Sequence, residues 1–315
     1  MDRIAELLES ITPDRLGIEI GPWFSPIAAK SKGYRSLVLD VYDREQLRDL
    51  ARKDPGIPKE MVENIEDVDF VGQAMDLAHL VEERGLAGQI DYVISSHNFE
   101  HLPDPIRFVQ GCERVLKPGG TLSMAIPDRR TCFDYFRPWS TTGELLDAFW
   151  ERRDRPTPGQ LFTHYALHAY GHIGGTDLTG WQIDSDPAQI RVVGDLQTAF
   201  SQALSQRTTP DIWPDAHCWT FTPASFELIV ADLQALGLIK MQVAKILGPN
   251  GHEFYAHLVN DPAKAPDLAS PEFARRRTEL LHRVNDEAGV NSMAAMARDR
   301  KNSAVPALAN TGALP

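Results

Sequence analysis

Residues 16–27 read LGIEIGPWFSPI: an apolar run broken by one carboxylate, Glu19, then Gly21 and a turn at Pro22. A buried strand tolerates a charge only where something hydrogen-bonds to it. In an open parallel sheet, ligands sit beyond the carboxyl ends of the strands, where the strand order reverses. The turn after this first strand is therefore the expected cofactor site. Gly21 lets the backbone pass close to a ligand. Glu19 stands beside the turn, able to accept hydrogen bonds from its N–H groups or from a cationic ligand.

The next hundred residues keep a strand–helix rhythm. YRSLVLDV (34–41), DVDFVG (67–72), IDYVISSH (90–97) and TLSMAIPD (121–128) read as further strands. REQLRDLARK, DLAHLVEERGLAG and DPIRFVQGCERVLKPGG read as the helices between them. This alternation predicts an α/β fold, a Rossmann-like, doubly wound, mostly parallel sheet covered on both faces. Asp40 ends the second strand roughly 20 residues past the first turn, where a nucleoside-binding unit places an acceptor for two ribose hydroxyls.

The rhythm changes after Pro127. Residues 137–220 are rich in aromatics, histidine and polar groups and show no strand pattern. ELLDAFWER, QLFTHYALHAY and AQIRVVGDLQTAFSQAL read as helices of an insertion that caps the active site. TPASFELIVADLQALG, with a Thr-Pro start and a Gly end, reads as a helix that returns to the core. LIKMQVAKIL and HEFYAHLVN read as a closing strand pair around Pro249-Asn250-Gly251.

Taken together, these stretches resemble the class I S-adenosylmethionine-dependent methyltransferases. The glycine-rich turn of that family carries an acid two places before its first glycine, here Glu19-Ile20-Gly21-Pro22-Trp23-Phe24-Ser25. LVLDV, IDYVISSHNFEHLPDP and RVLKPGGTLSMAIPD continue the likeness over about residues 14–130. EIGP and IPDRRTCFDYFRP also resemble a subgroup associated with glycan or secondary-metabolite tailoring. The resemblance implies S-adenosyl-L-methionine as cofactor. It implies contacts from Glu19, Gly21, Pro22 and Ser25 in the turn, from Asp40 to the ribose, from Gln73, Ala74 and Asp76 near the adenine, and from Ser96 and His97 nearest the methyl group. The expected division is a cofactor-binding core (1–136), the cap (137–220), a return to the core (221–262), a C-terminal helix (263–300) and a loose tail (301–315). Trp23 and Ser25 replace the second and third glycines of the turn. Large side chains there block the close backbone approach that a pyrophosphate needs.

Methyl transfer asks the protein mainly to align two partners, and an alcohol acceptor also gains from a base. His97, Asp128, His168 and His217 are the candidate catalytic residues. Arg129 and Arg130 follow Asp128 and suit an anionic group on the substrate. HYALHAYGH spaces His164, His168 and His172 four residues apart, which on a helix puts them on one face. Such a face would bind substrate, supply a base or coordinate a metal. The carboxylates Asp177 and Asp184 would have to fold back to complete a metal site, so none is expected. Asp215 and His217 form a candidate acid–base pair, and His101 in FEHLPDP reads as a packed structural residue.

The 315 residues carry 32 Lys and Arg against 44 Asp and Glu, a net charge of −12. A nucleic-acid surface needs clustered cations, so nucleic acid is not an expected partner. The three cysteines, Cys112, Cys132 and Cys218, form no C-x-x-C pair, which argues for a reducing compartment without disulfides or structural zinc. MDRIAELLES lacks the apolar core of a signal peptide, and no stretch reaches the ~18 apolar residues of a membrane span. A cytoplasmic protein acting on a small molecule, with a homodimer left open, is the expectation. The reading is O-methylation of a small polar metabolite or sugar by in-line transfer with a His or Asp base. Two alternatives stay open: a cofactor-fold scaffold without chemistry, suggested by Trp23 and Ser25, and a nucleotide-dependent oxidoreductase.

Overall fold

The computed structural model describes residues 2–208, 214–261 and 268–302. The core opens with α1 (Arg3–Leu7), β1 (Leu16–Ile20), β2 (Arg35–Asp40), α2 (Arg44–Lys53), β3 (Phe70–Val71), α3 (Leu77–Glu83), β4 (Ile90–Ser96), α4 (Pro105–Val115) and β5 (Leu116–Pro127). The cap holds α5 (Thr142–Trp150), α6 (Pro158–Ala166), β6 (Ala169–Ile173), β7 (Thr176–Leu178), β8 (Ile190–Val192) and α7 (Leu196–Thr208). The chain then re-enters the core as α8 (Pro223–Ala235), β9 (Met241–Asn250) and β10 (Glu253–Asn260), and ends in α9 (Pro271–Asn302). Most of the expected tail, 303–315, lies outside the described residues.

The main sheet has the order β3-β2-β1-β4-β5-β10-β9. The first five strands are parallel, and β10 runs antiparallel to both β5 and β9. The order reverses between β1 and β4, so their carboxyl ends flank the crevice where such sheets bind ligands. The core agrees with the central position of these strands: Ile18, Val93, Leu122, Met124 and Phe254 are all fully buried. Gly17 is required by close approach, because a Cβ there would stand 2.0 Å from the ring of Tyr92.

The cap is not purely helical. α6 stops at Ala166, and β6, β7 and β8 form a second, three-stranded sheet in the order β7-β6-β8. Two positive-φ glycines, Gly174 and Gly175, close the β6–β7 hairpin, a turn chemistry that outweighs the helical spacing upstream. The AQIRVVGDLQTAFSQAL stretch likewise divides into β8 and α7. The segment after β5 threads between core and cap. Asp128 bridges to Phe221, Cys132 bridges to Gly180, and Ala169 N donates to Phe133 O.

Glu19 explains itself here. It is 2% exposed, and its two carboxylate oxygens accept from Ile27 N at 2.7 Å and Ala28 N at 3.0 Å. It therefore holds the turn after β1 in shape and acts on any ligand through that turn. Burial pushes its carboxyl up to about 7, against the pull of the two amides. Because the folded value lies above the ordinary 4.5, its contribution to stability is full at low pH and fades as pH rises through 7. Glu19→Ala orphans two buried amides and is expected to cost about 1–3 kcal/mol, read from the urea midpoint.

Candidate active site

The two turns at the switch point carry left-handed backbone. Gly21 has φ +55° and Trp23 φ +53° after β1, and His97 has φ +49° after β4. Non-glycine residues adopt this conformation rarely, and such strain gathers at ligand sites. Trp23 packs against the Leu47, Val62 and Ile65 cluster under α2. A Cβ on Gly21 would meet nothing within 4 Å, so the space over the turn is open. No atom of Trp23 comes within 4 Å of that position. The Pro22 carbonyl accepts from Ser25 N at 3.0 Å, which tightens the turn. Ser25 is exposed and lines a separate hollow of about 560 Å³ with Lys30 and Lys32.

Asp40 lies at the tip of β2, 8% exposed, and accepts from Val41 N at 2.7 Å. Burial pushes its carboxyl up to about 6, against the Val41 and Tyr42 amides. Exposed Val41, Tyr42 and Val71 stand at the tips of β2 and β3 as an apolar rim. Gln73 is half-buried, Ala74 buried and Asp76 exposed just beyond β3. On the other side of the crevice, Ser96 Oγ accepts from Arg3 at 2.6 Å. Arg3 also donates to Glu253 Oε1 at 2.8 Å, and Glu253 Oε2 meets His97 Nε2 at 2.7 Å. Burial would raise the Glu253 carboxyl, but His97, Arg3 and Tyr255 hold it down at about 2.

Next to His97 the chain gathers a cluster of rings and carboxylates. Glu100 is 1% exposed, and neither of its carboxylate oxygens has a hydrogen-bond partner among the described residues. Its Oε1 stands 3.7 Å from His97 Nδ1, 3.7 Å from His101 Nε2 and 3.8 Å from His217 Nε2. The far nitrogen of each ring lies against another carboxylate: Glu253 for His97, Asp215 at 2.7 Å for His101, and Asp134 at 2.5 Å for His217. Arg137 also binds Asp134, at 2.6 Å. Despite full burial, His217 and Arg137 hold the Asp134 carboxyl far below its usual range. Main-chain bonds from Cys218 N and Trp219 N to the Glu100 carbonyl fix the loop that brings His217 in.

Half-buried aromatics extend this wall. Phe133 stacks on His168 at 4.6 Å and 14°, and its ring centre lies 4.6 Å from that of His217. His164 Nδ1 accepts from His217 N at 3.3 Å, and burial pushes its imidazole down to about 3. His168 is also lowered by burial. Both rings are therefore neutral at physiological pH.

Several sequence expectations change. His164 and His168 meet, but not along one helix face, because His168 follows the end of α6. His172 sits on β6, half-exposed, paired with Asp177 at 2.8 Å, and takes no part in the cluster. Asp128 is fully buried in a two-point pair with Arg130, at 2.9 and 2.6 Å, which leaves it no open face for a base. Arg130 is consumed by the same pair, whereas half-buried Arg129 donates to Tyr135 O at 2.7 Å. Asp215 and His217 do not pair; each takes another partner, His101 and Asp134. Arg3, Glu100, Asp134 and Glu253 were missed, and His101, read as a packed structural residue, joins the cluster. An acid beside a histidine in FEHLPDP was the available signal for Glu100 and His101; their partners come from distant segments.

With the geometry in place, a methyltransferase-domain family matches residues 24–124, beginning just past the β1 turn. A ubiquinone biosynthesis O-methyltransferase from Acinetobacter baumannii is 34% identical over 58 residues, 18% of this chain. The match spans only 23% of that relative's length. Among solved structures, a SAM-dependent methyltransferase from Methanosarcina mazei is 14% identical, over 83% of this chain and 98% of its own, with a TM-score of 0.39. One from Aquifex aeolicus is 11% identical over 82% and 89%, with a TM-score of 0.39. The match lies within the α/β core, from β2 into β5, and S-adenosylmethionine is the cofactor that it implies. The crevice fits it: open space over Gly21, a buried acceptor at Asp40 for ribose hydroxyls, and an apolar rim for an adenine.

Hydroxyl donors favour the ionised form of Asp40, so affinity for S-adenosylhomocysteine is expected to be constant above pH 7 and to fall below pH 6, as the free carboxyl protonates. Asp40→Asn should weaken binding by about 10- to 100-fold at pH 7.5, the worth of hydrogen bonds to a charged group, and remove that pH dependence. Calorimetry across pH reads both.

Proposed function

We propose that the protein transfers a methyl group from S-adenosylmethionine to a hydroxyl of a small polar molecule, with a sugar or related metabolite as the acceptor class. The observation that carries this reading is the position of His97. It ends the strand beside the cofactor crevice and is oriented through Nε2 by buried Glu253, while Nδ1 faces the histidine wall. When bound, the cofactor supplies a methyl on a sulfonium: the O–CH₃ bond forms as the S–CH₃ bond breaks, and sulfur keeps the electron pair.

The protein's share is placement and proton handling. Glu253 fixes which His97 nitrogen carries the proton, which leaves Nδ1 free to take the hydroxyl proton. Phe133, His168 and Tyr170 offer flat faces and polar edges suited to a hydroxylated ring. Neutral His164 and His168 add hydrogen-bonding groups without charge. A cavity of about 360 Å³, lined by Arg137, Trp139, Arg153, Cys218 and Trp219 among others, adjoins the same loop and gives room for a larger acceptor. Similarity over a short segment to an O-methyltransferase favours oxygen as the methylated atom.

A panel of hydroxylated acceptors with methyl-labelled cofactor tests the reading. His97→Gln is expected to lower kcat by 10²- to 10⁴-fold with little change in cofactor affinity. Failure of the wild-type chain to bind S-adenosylmethionine would remove the reading altogether.

A further inference from the structure

We propose that Glu100, His101 and His217 hold a divalent metal ion, with zinc the favoured occupant. Glu100 is almost fully buried, and among the described residues both of its oxygens lack hydrogen bonds. A bare carboxylate in that position is costly, and each such group in a folded protein demands a partner. The partners on offer are imidazole nitrogens. Asp134 hydrogen-bonds the far nitrogen of His217, which places that ring's proton there and turns its Nε2 lone pair toward Glu100, and Asp215 stands as a counter-charge 2.7 Å from the far nitrogen of His101. The His217 lone pair and the Glu100 carboxylate then face one another with no proton between them, with His101 Nε2 at 3.7 Å from the same oxygen. A cation resolves the conflict.

The competing arrangement is a pair of doubly protonated rings. Charge-assisted N–H···O bonds close to about 2.7–2.9 Å. The observed separations are 3.7 and 3.8 Å, too wide for that bond. They come close to the spacing of roughly 3.4 Å between two donors that sit about 2.0–2.1 Å from one tetrahedral zinc. The outer carboxylates match the carboxylate–histidine–metal pattern that orients ligands in zinc sites. Two imidazoles with one carboxylate form a three-ligand set with an open fourth position. The Glu6, Glu9 and His257 group differs, because Lys245 already neutralises both of its acids, at 2.8 and 2.5 Å.

The sequence reading expects no metal because Asp177 and Asp184 would have to fold back onto the His164, His168 and His172 face. The tertiary structure replaces that face with residues from two distant segments, 100–101 and 217. On the methyl-transfer reading above, the open position takes the acceptor hydroxyl and lowers its pKa. The proton then passes to His97 Nδ1, which stands 3.7 Å from Glu100 Oε1.

The test uses the full chain, stripped with chelator and titrated with zinc alone by calorimetry, with metal counted by mass spectrometry. One zinc per chain, bound at micromolar affinity or better, is expected. Glu100→Gln and His217→Ala should each weaken binding about 100-fold, and Asp134→Asn about 10-fold, by loss of ring orientation. His172→Ala should leave binding unchanged. Cobalt in place of zinc should give a visible d–d spectrum in the wild-type chain, a readout that needs no variant to fold. Absence of stoichiometric zinc in the wild type, or binding that survives both Glu100→Gln and His217→Ala, would overturn the site. A chain that binds S-adenosylhomocysteine and methylates while taking up no zinc overturns the metal site and leaves the function standing. Zinc uptake without methyl transfer supports the site and removes the function.

Discussion

Glu19 lies inside the sheet with both oxygens on the amides of Ile27 and Ala28, and the rest of the cofactor end is arranged around that clamp. It ties the carboxyl end of β1 to a loop eight and nine residues downstream. The chain between must then turn sharply, which places Gly21 and Trp23 in left-handed backbone and sends the indole under α2. An open space remains over the turn, beside Asp40. Hydrogen bonding to main-chain amides is what makes a carboxylate tolerable at this depth.

The histidine side of the crevice follows a different rule. Its carboxylates are matched with rings and not with amides: Glu253 with His97, Asp215 with His101, Asp134 with His217. Arg3 and Arg137 then neutralise Glu253 and Asp134 from α1 and from the segment after β5. Glu100 is the exception, in contact distance of three imidazoles and bonded to none. A low-dielectric interior makes each such imbalance expensive.

Much of the core was legible in the sequence. Alternating strands and helices fixed the parallel sheet, and β9 with β10 closed it as the HEFYAHLVN pattern implied. The cap was less readable. HYALHAYGH has helical spacing over its whole length, yet the Gly174-Gly175 turn and pairing with β8 draw its second half into a sheet. Non-local pairing overrides local spacing wherever a hairpin turn is available. Asp128 and Arg130 show the same limit: a strand-end acid beside arginines reads as a site, while in the fold they satisfy each other in the interior.

The sequence by itself determined the α/β architecture, the turn after β1 and the strand-tip acid at Asp40, because these depend on residues close together in the chain and on a period of two or 3.6. The tertiary structure alone decided which histidines meet. His97, His101 and His217 converge because two amides of the returning loop bind the carbonyl of Glu100. Such a bond joins segments more than a hundred residues apart, and no local pattern encodes it.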